Sequence, residues 1–495
     1  MRASLSLIAV AGIASCAVAQ RVLPVSISKP HARGKTAVNT FSKRASNFTQ
    51  VIDNEISAGG YYATVSVGTP AQEVTLILDT GSSDVWILDN DADLCQSERL
   101  QAYYGDCLTT YDHTASSTYE VVDADGFDIS YVDGSGSSGD YIADTFRIAG
   151  ATIKALQMGL AAESTISSGL IGVGFDTNVA AERVYSNLID EFMAQDVIAT
   201  KSYSLYLNDL ESSTGTILFG GIDTKKFIGD LKVVDIRPET ISGQQIYSSF
   251  SVTLTDLEVT DGDNSNKSYV TQDIDVVLDS GTTLTYLPST VAERVFAAFN
   301  AYDDSQGTGL VYINCDYLAD KPDMTFDFRF GASGPLIRVP IDEMILDNVK
   351  AYVELGLQLP DLDFDNVCSL GLQALDDYYL LGDTFLRSAY VVYDISSLSI
   401  GMAQANLNST ESNIVEIGTS GIPSATGVNA QTTNADSSSG TDGTSTGNPT
   451  VTATTDPSDT GSAGLRTIPP PSWEAASLTL VVTIFGLAGA AIFTW

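Results

Sequence analysis

The chain predicts a mostly β, bilobal architecture, and three features of the sequence predict it. Val74–Asp79 and Ile274–Asp279 are short apolar, β-branched runs that read as buried strands, and each ends in an aspartate followed by a hydroxyl residue and glycine. The two runs lie 200 residues apart, in matching places of two half-chains. Between Ala45 and Ala405 lie about 360 residues, enough for two cores and large for one. Apolar alternation, aromatics and frequent Gly, Asn and Asp turns point to strands throughout. The clearest helical periodicity falls at 180–194 and 290–301.

Each aspartate loop has a chemical logic. In Asp79-Thr80-Gly81-Ser82 and Asp279-Ser280-Gly281-Thr282, glycine permits the sharp turn that lifts the carboxylate out of the strand end. The hydroxyls can donate hydrogen bonds to carboxylate oxygens and fix their direction. Two such carboxylates face to face cannot both ionise at close range, so they share a proton and can activate a water. The bare triplet is weak: Asp459-Thr460-Gly461 is a third copy, but no apolar strand precedes it in its Ser/Thr-rich surroundings.

The twinned loops resemble the signature loops of the pepsin-type aspartic proteases, and the similarity runs from about Tyr61 to about Ala405. Tyr61–Val65 followed by Gly68-Thr69-Pro70-Ala71-Gln72 resembles that family's first hairpin. Gly169-Leu170-Ile171-Gly172 and Tyr379-Leu380-Leu381-Gly382-Asp383 resemble the segments that buttress its catalytic loops. The resemblance implies a monomeric endopeptidase with its cleft between two lobes. Asp79 and Asp279 would be catalytic, with Thr80 and Ser280 bracing the loops against each other. Ser82 and Thr282 would bond the outer carboxylate oxygens. One aspartate would act as base on a water while the other, protonated, polarises the scissile carbonyl. No cofactor and no metal are called for, and the shared proton implies an acidic, bell-shaped pH dependence that belongs to the pair.

Phe127–Gly139 reads as a hairpin with a Gly/Ser-rich tip. By resemblance it is the flap, with Tyr131 as its tyrosine, Trp86 as that tyrosine's support, and Asp133, Gly134 and Ser135 at the substrate-facing tip. An acid at position 133 departs from pepsin and is similar to the fungal yapsin branch; it would suit Lys or Arg in a substrate.

Met1–Ala19 reads as a secretory signal peptide. Residues 20–44 carry six Lys/Arg, one histidine and no acid, and end in the dibasic pair Lys43-Arg44. We read them as a propeptide removed by a processing protease. From Ala45 to Ser462 there are 16 Lys/Arg against 61 Asp/Glu, so charge would hold the basic segment at neutral pH and release it on acidification. The same acidity excludes nucleic acid as a partner.

Four cysteines remain after signal removal, an even number for a secreted chain. Pairing within each half, Cys95 with Cys107 and Cys315 with Cys368, is the natural connectivity. The second pair matches a disulfide common in pepsin-like C-terminal lobes, and the first resembles the yapsin branch. Two histidines occur in the whole chain and only His113 lies outside the basic segment, which leaves Ser-His-Asp and Cys-His catalysis without support; we read His113 as a turn residue.

The expected organisation is therefore a signal peptide (1–19), a propeptide (20–44), an N-terminal lobe (45–235) and a C-terminal lobe (236–407). A Ser/Thr-rich stalk (408–467) and an apolar tail (468–495) follow. Glycosylation sequons stand at Asn47, Asn266 and Asn408. The tail lacks a basic flank and follows the small residues Ser462-Ala463-Gly464. This favours a glycosylphosphatidylinositol attachment signal, with lipidation at Ser462, over a spanning helix. Together these features predict a cell-surface aspartic endopeptidase preferring basic residues, single or paired, at the cleavage site. A catalytically dead peptide-binding or adhesive protein on the same scaffold, and a carboxylate-based glycoside hydrolase, are the rival classes.

Overall fold

The structure is a computed structural model that describes residues 20–29, 60–210, 214–260, 267–354 and 358–429. The expectations placed on Asn47, Asn266, Ser462, the signal segment and the apolar tail lie outside these residues.

Strands dominate, as the alternation predicts. A 13-stranded sheet runs through the described body. It is built from the first half of the chain plus two late strands, Ala389–Asp394 and Ser399–Ala405, which join beside Ser202–Tyr206. The second half forms smaller sheets, including a five-stranded one that contains Ile274–Leu278. The apolar run before each aspartate sits inside its sheet on a parallel partner. Ile77, Leu78 and Asp79 pair with Leu170, Ile171 and Gly172, and Val277 and Leu278 pair with Leu380 and Leu381. Strands buried on both faces read as near-continuous apolar runs, which is why these two stood out in sequence.

Both cystine pairings hold: Cys95–Cys107 closes over 12 residues and Cys315–Cys368 over 53. Of the expected helices, the second is found at Ser289–Phe299, ended by Asn300 in the left-handed region (φ 49°). The first is corrected: only Leu188–Ala194 is helical. Asn187 caps it, accepting from the Ile189 and Asp190 amides while the Asp190 carboxylate accepts from the Asn187 amide. A capping box marks a helix start, so the periodicity upstream of position 187 belongs to a loop.

Two further readings change. The basic segment is held by more than charge. Leu23–Ser28 is a strand inside the large sheet, antiparallel to Thr214–Phe219 over six residue pairs, with Leu23, Val25 and Ile27 in the main core. Among the described residues its cations are paired too: Lys29 Nζ lies 3.4 Å from buried Asp383 Oδ2, and Arg21 lies 3.4 Å from Asp196 and 3.9 Å from Glu416. At the other end, the predicted stalk does not start at 408. Ile414–Glu416 pairs with Gly221–Asp223, Ile417 is fully buried, and isolated bridges join Val428 to Ile228 and Thr426 to Asp230. The packed body therefore reaches Asn429, because a handful of apolar residues (Val415, Ile417, Ile422, Ala425) punctuate an otherwise polar composition and find a core to cover.

Candidate active site

Asp79 and Asp279, 200 residues apart in sequence, meet at the centre of the body, both fully buried. The hydroxyls next to them lock the two loops together across the lobe boundary. Thr80 Oγ1 donates to the Leu278 carbonyl at 2.9 Å, and Ser280 Oγ donates to the Leu78 carbonyl at 3.0 Å. The same oxygens accept from the opposite amides, Ser280 N at 2.9 Å and Thr80 N at 3.2 Å. The carboxylates are held in matched fashion. The Gly81 and Gly281 amides donate to the inner oxygens at 2.7 and 2.8 Å. Ser82 Oγ donates to Asp79 Oδ2, and Thr282 Oγ1 to Asp279 Oδ2 at 2.6 Å. Glycine at 281 is obligatory, since a Cβ there would stand 2.5 Å from Asp79 Oδ1 and 3.2 Å from Asp279 Oδ1. Both inner oxygens thus flank the same point beside Gly281.

Burial pushes Asp79 up to about 6, even though Ser82 and the Gly81 amide favour its ionised form. Burial, and then the negative charge of Asp79 alongside, push Asp279 well above the ordinary carboxylate range. The pair therefore retains a proton under conditions where isolated carboxylates have lost theirs, and its one-proton window lies higher in pH than the exposed value would place it.

The hairpin Glu120–Ser130/Gly136–Ile148 carries the flap. Its turn closes through Tyr131 N to the Ser135 carbonyl at 2.8 Å, with Gly134 at φ 81°. Trp86 Nε1 donates to the Tyr131 hydroxyl at 2.8 Å, the support that their spacing suggested. Val132 reaches across to the C-terminal lobe and packs with Tyr286 and Tyr378 on Val277 and Leu380. Asp133 Oδ1 accepts from the Ser135 amide and hydroxyl at 2.9 and 2.6 Å, whereas Oδ2 is buried without a partner. Burial pushes the Asp133 carboxyl up, as it does the Tyr286 hydroxyl beside it.

Sequence reasoning missed a second rank of residues. Asp84, within the first signature loop, is a buried acceptor for the Tyr141 hydroxyl (2.9 Å), the Tyr185 hydroxyl (2.6 Å) and the Ala180 amide (2.7 Å). It ties the flap's return strand to the loop before the capped helix. Asp383 sits behind the second loop, its amide donating to the Thr282 carbonyl at 2.9 Å, and near it Arg387 forms a buried ion pair with Glu343. The acid at 84 was visible in the motif, but its three donors come from residues 57 to 101 positions away. His113, read as a turn residue, opens a short 3-10 turn, with Nδ1 2.9 Å from Asp89 Oδ2.

Two strand-delivered carboxylates, bridged hydroxyl to carbonyl across two lobes and covered by a hairpin, define an aspartic peptidase site. The eukaryotic aspartyl protease family model matches residues 60–405, and the chain belongs to that family. It is 39% identical over 436 residues, covering 86% of this chain and 84% of the other, to a probable aspartic-type endopeptidase opsB of Aspergillus fumigatus. It is also 36% identical to an acid protease of Saccharomycopsis fibuligera, covering 72% and 82% of the two chains. Identity to secreted aspartic protease 3 of Candida albicans is 32%, covering 78% and 88%. The protein is an aspartic-type endopeptidase acting on peptide or protein substrates.

Proposed function

We propose that Asp79 and Asp279 are the catalytic pair, with the shared proton resting on Asp279. The observation that carries this reading is the closed ring of cross-lobe bonds that holds two matched carboxylates in one buried site. Ionised Asp79 takes a proton from a water lying between the two side chains while that water attacks the scissile carbonyl. Protonated Asp279 gives its proton to the carbonyl oxygen. Collapse of the tetrahedral intermediate breaks the C–N bond as the leaving nitrogen is protonated. No covalent acyl-enzyme is formed. Thr80 and Ser280 keep the loops in register, and Ser82 and Thr282 orient the outer oxygens. Tyr131, Asp133, Gly134 and Ser135 cover the substrate, with Trp86 holding Tyr131.

The substrates are basic at the cleavage site. The unpartnered Oδ2 of Asp133, on a turn laid over the cleft, supports this reading, and so does the strongly acidic body, which draws cationic peptides towards it. The enzyme is made as a zymogen whose residues 20–44 are removed at Lys43-Arg44. It follows the secretory route, in keeping with a relative named as secreted, and is tethered at the cell surface through a lipid anchor at Ser462. Glycans at Asn47, Asn266 and Asn408 complete the mature protein; the Asn408 side chain is exposed.

The test is cleavage of a Lys-Arg peptide by the processed protein across mildly acidic pH, with pepstatin as inhibitor. Pepstatin-sensitive hydrolysis is expected. No turnover by pure, processed protein would favour a binding-only scaffold, and release of sugar from wall glycans would favour a glycoside hydrolase. Release of the protein from membranes by a phosphatidylinositol-specific phospholipase checks the anchor.

A further inference from the structure

We propose that Asp84 is a positioning residue for the reaction: by holding Tyr141 it seats the flap tyrosine, Tyr131, before a substrate arrives. The proposal rests on the reading of the Glu120–Ser130/Gly136–Ile148 hairpin as the cover of the cleft, and deepens it by naming what sets the cover's resting place.

Tyr131 does not rest on Trp86 alone. A small core, separate from the main one, gathers Trp86, Phe127, Ile129, Tyr131 and Tyr141. Within it the aromatic rings form a chain. Trp86 holds the Tyr131 hydroxyl at 2.8 Å, and its ring centroid lies 6.1 Å from that of Phe127. Phe127 in turn meets Tyr141 edge to face, with centroids 5.4 Å apart. Gly159 makes room for this chain, since a Cβ there would stand 2.7 Å from the Phe127 ring. At its far end the Tyr141 hydroxyl donates to Asp84 Oδ1 at 2.9 Å. Phe127 and Tyr141 sit on the two opposed strands of the flap hairpin. A shift of Tyr141 is therefore carried, through close packing, to the ring that backs Trp86.

The other contacts of Asp84 fix it to the frame. Its Oδ1 also accepts from the Tyr185 hydroxyl at 2.6 Å, and its Oδ2 from the Ala180 amide at 2.7 Å. Both donors belong to the stretch between Gly172 and the capped helix. The first residues of that stretch brace the Asp79 loop: the Val173 amide donates to the Asp79 carbonyl at 3.0 Å, and the Gly174 amide to the Ser82 carbonyl at 2.9 Å. One carboxylate thus ties the flap to the segment that backs the first catalytic loop. An ionised carboxylate can take all three donors at once. An amide of the same shape cannot, because its nitrogen would face the Ala180 N–H.

The experiment measures kcat and KM separately for the processed enzyme on the Lys-Arg peptide. The variants are Tyr141→Phe, Tyr185→Phe, Asp84→Asn and Tyr111→Phe, each checked for folding by circular dichroism. Tyr111→Phe is the control for losing a buried Tyr–Asp bond, because the Tyr111 hydroxyl donates to Asp144 and its ring belongs to the main core. A second readout needs no turnover. In the full chain carrying Trp473→Phe and Trp495→Phe, Trp86 is the sole tryptophan, and acrylamide quenching of its emission reports how tightly it is enclosed. We expect Tyr141→Phe to raise KM about tenfold, the scale of a lost hydrogen bond to a carboxylate, while kcat stays within about twofold. The same variant should leave Trp86 more open to quencher until pepstatin is bound. Asp84→Asn, which keeps an oxygen for the tyrosines, and Tyr185→Phe should show smaller changes of the same kind, and Tyr111→Phe none. A KM and a Trp86 signal unchanged in Tyr141→Phe, or changed equally in Tyr111→Phe, would overturn this proposal alone. No turnover by wild type, with a Trp86 signal that pepstatin leaves unaltered, would overturn the reading of the hairpin as a cover, and this proposal with it.

Discussion

The loop around Asp79 and the loop around Asp279 hold their carboxylates alike: one glycine amide on the inner oxygen, one hydroxyl on the outer, one cross-lobe bridge each way. A few residues further on they part. The first loop continues into Asp84, whose carboxylate gathers two tyrosine hydroxyls and an amide from the strand Gly136–Ile148 and the loop before the capped helix. The second continues into partly buried Leu284, and the acid in its vicinity, Asp383, comes from the buttress segment and faces Lys29. The symmetric part holds the two acids that the proposed mechanism uses. The asymmetric part goes with what differs between the lobes: the Glu120–Ser130/Gly136–Ile148 hairpin on one side, the strand Leu23–Ser28 and Lys29 on the other.

The largest effect that could break this comparison is on turnover. Asp79→Asn and Asp279→Asn should each lower kcat by about 10⁴-fold or more with the fold intact, because the pair acts as a unit; circular dichroism beside the kinetics checks both points. If only one substitution mattered, the functional symmetry would be false. Next come the disulfides. Loop-closure entropy makes the Cys315–Cys368 link worth roughly 4 kcal/mol and the Cys95–Cys107 link roughly 3 kcal/mol, so Cys-to-Ser pairs in the C-terminal lobe should lower the denaturation midpoint more.

Thr80→Val and Ser280→Ala should then cost similar amounts, about 1 to 3 kcal/mol each, since each removes a donor and leaves a buried carbonyl and amide unpaired; unequal losses in urea titrations would expose an asymmetry at the bridge itself. The smallest effect is a shift in pH. Ser82→Ala removes a donor that favours ionised Asp79, so the acid limb of the kcat/KM profile should move to higher pH. Stability carries the same sign. Because the folded-state carboxyl of Asp79 is raised to about 6, its contribution is present at low pH and is lost as pH rises through that value. The melting temperature should fall over that interval in wild type and less so in Asp79→Asn.

What the sequence made legible follows the range of the interactions. Asp79, Asp279 and their hydroxyl partners could be read because strand, acid, hydroxyl and glycine are contiguous, and because the motif occurs twice. Trp86 and Tyr131 could be paired through their resemblance to a known spacing. The Asp84 cluster and the Lys29–Asp383 pair were not legible, since each joins residues brought together only by the tertiary fold. Composition misled at 408–429, where a few isoleucines and a valine suffice to dock a polar segment on a waiting edge. Periodicity misled at 180–187, where the capping pair Asn187/Asp190 sets the helix start.

The central claim is that two acids from two lobes work as one group around a single water. The most direct test is a double-mutant cycle on kcat with Asp79→Asn, Asp279→Asn and the combined variant, each verified as folded. A combined variant no slower than either single one is predicted. Losses that multiply, or a single variant that keeps substantial activity, would contradict it.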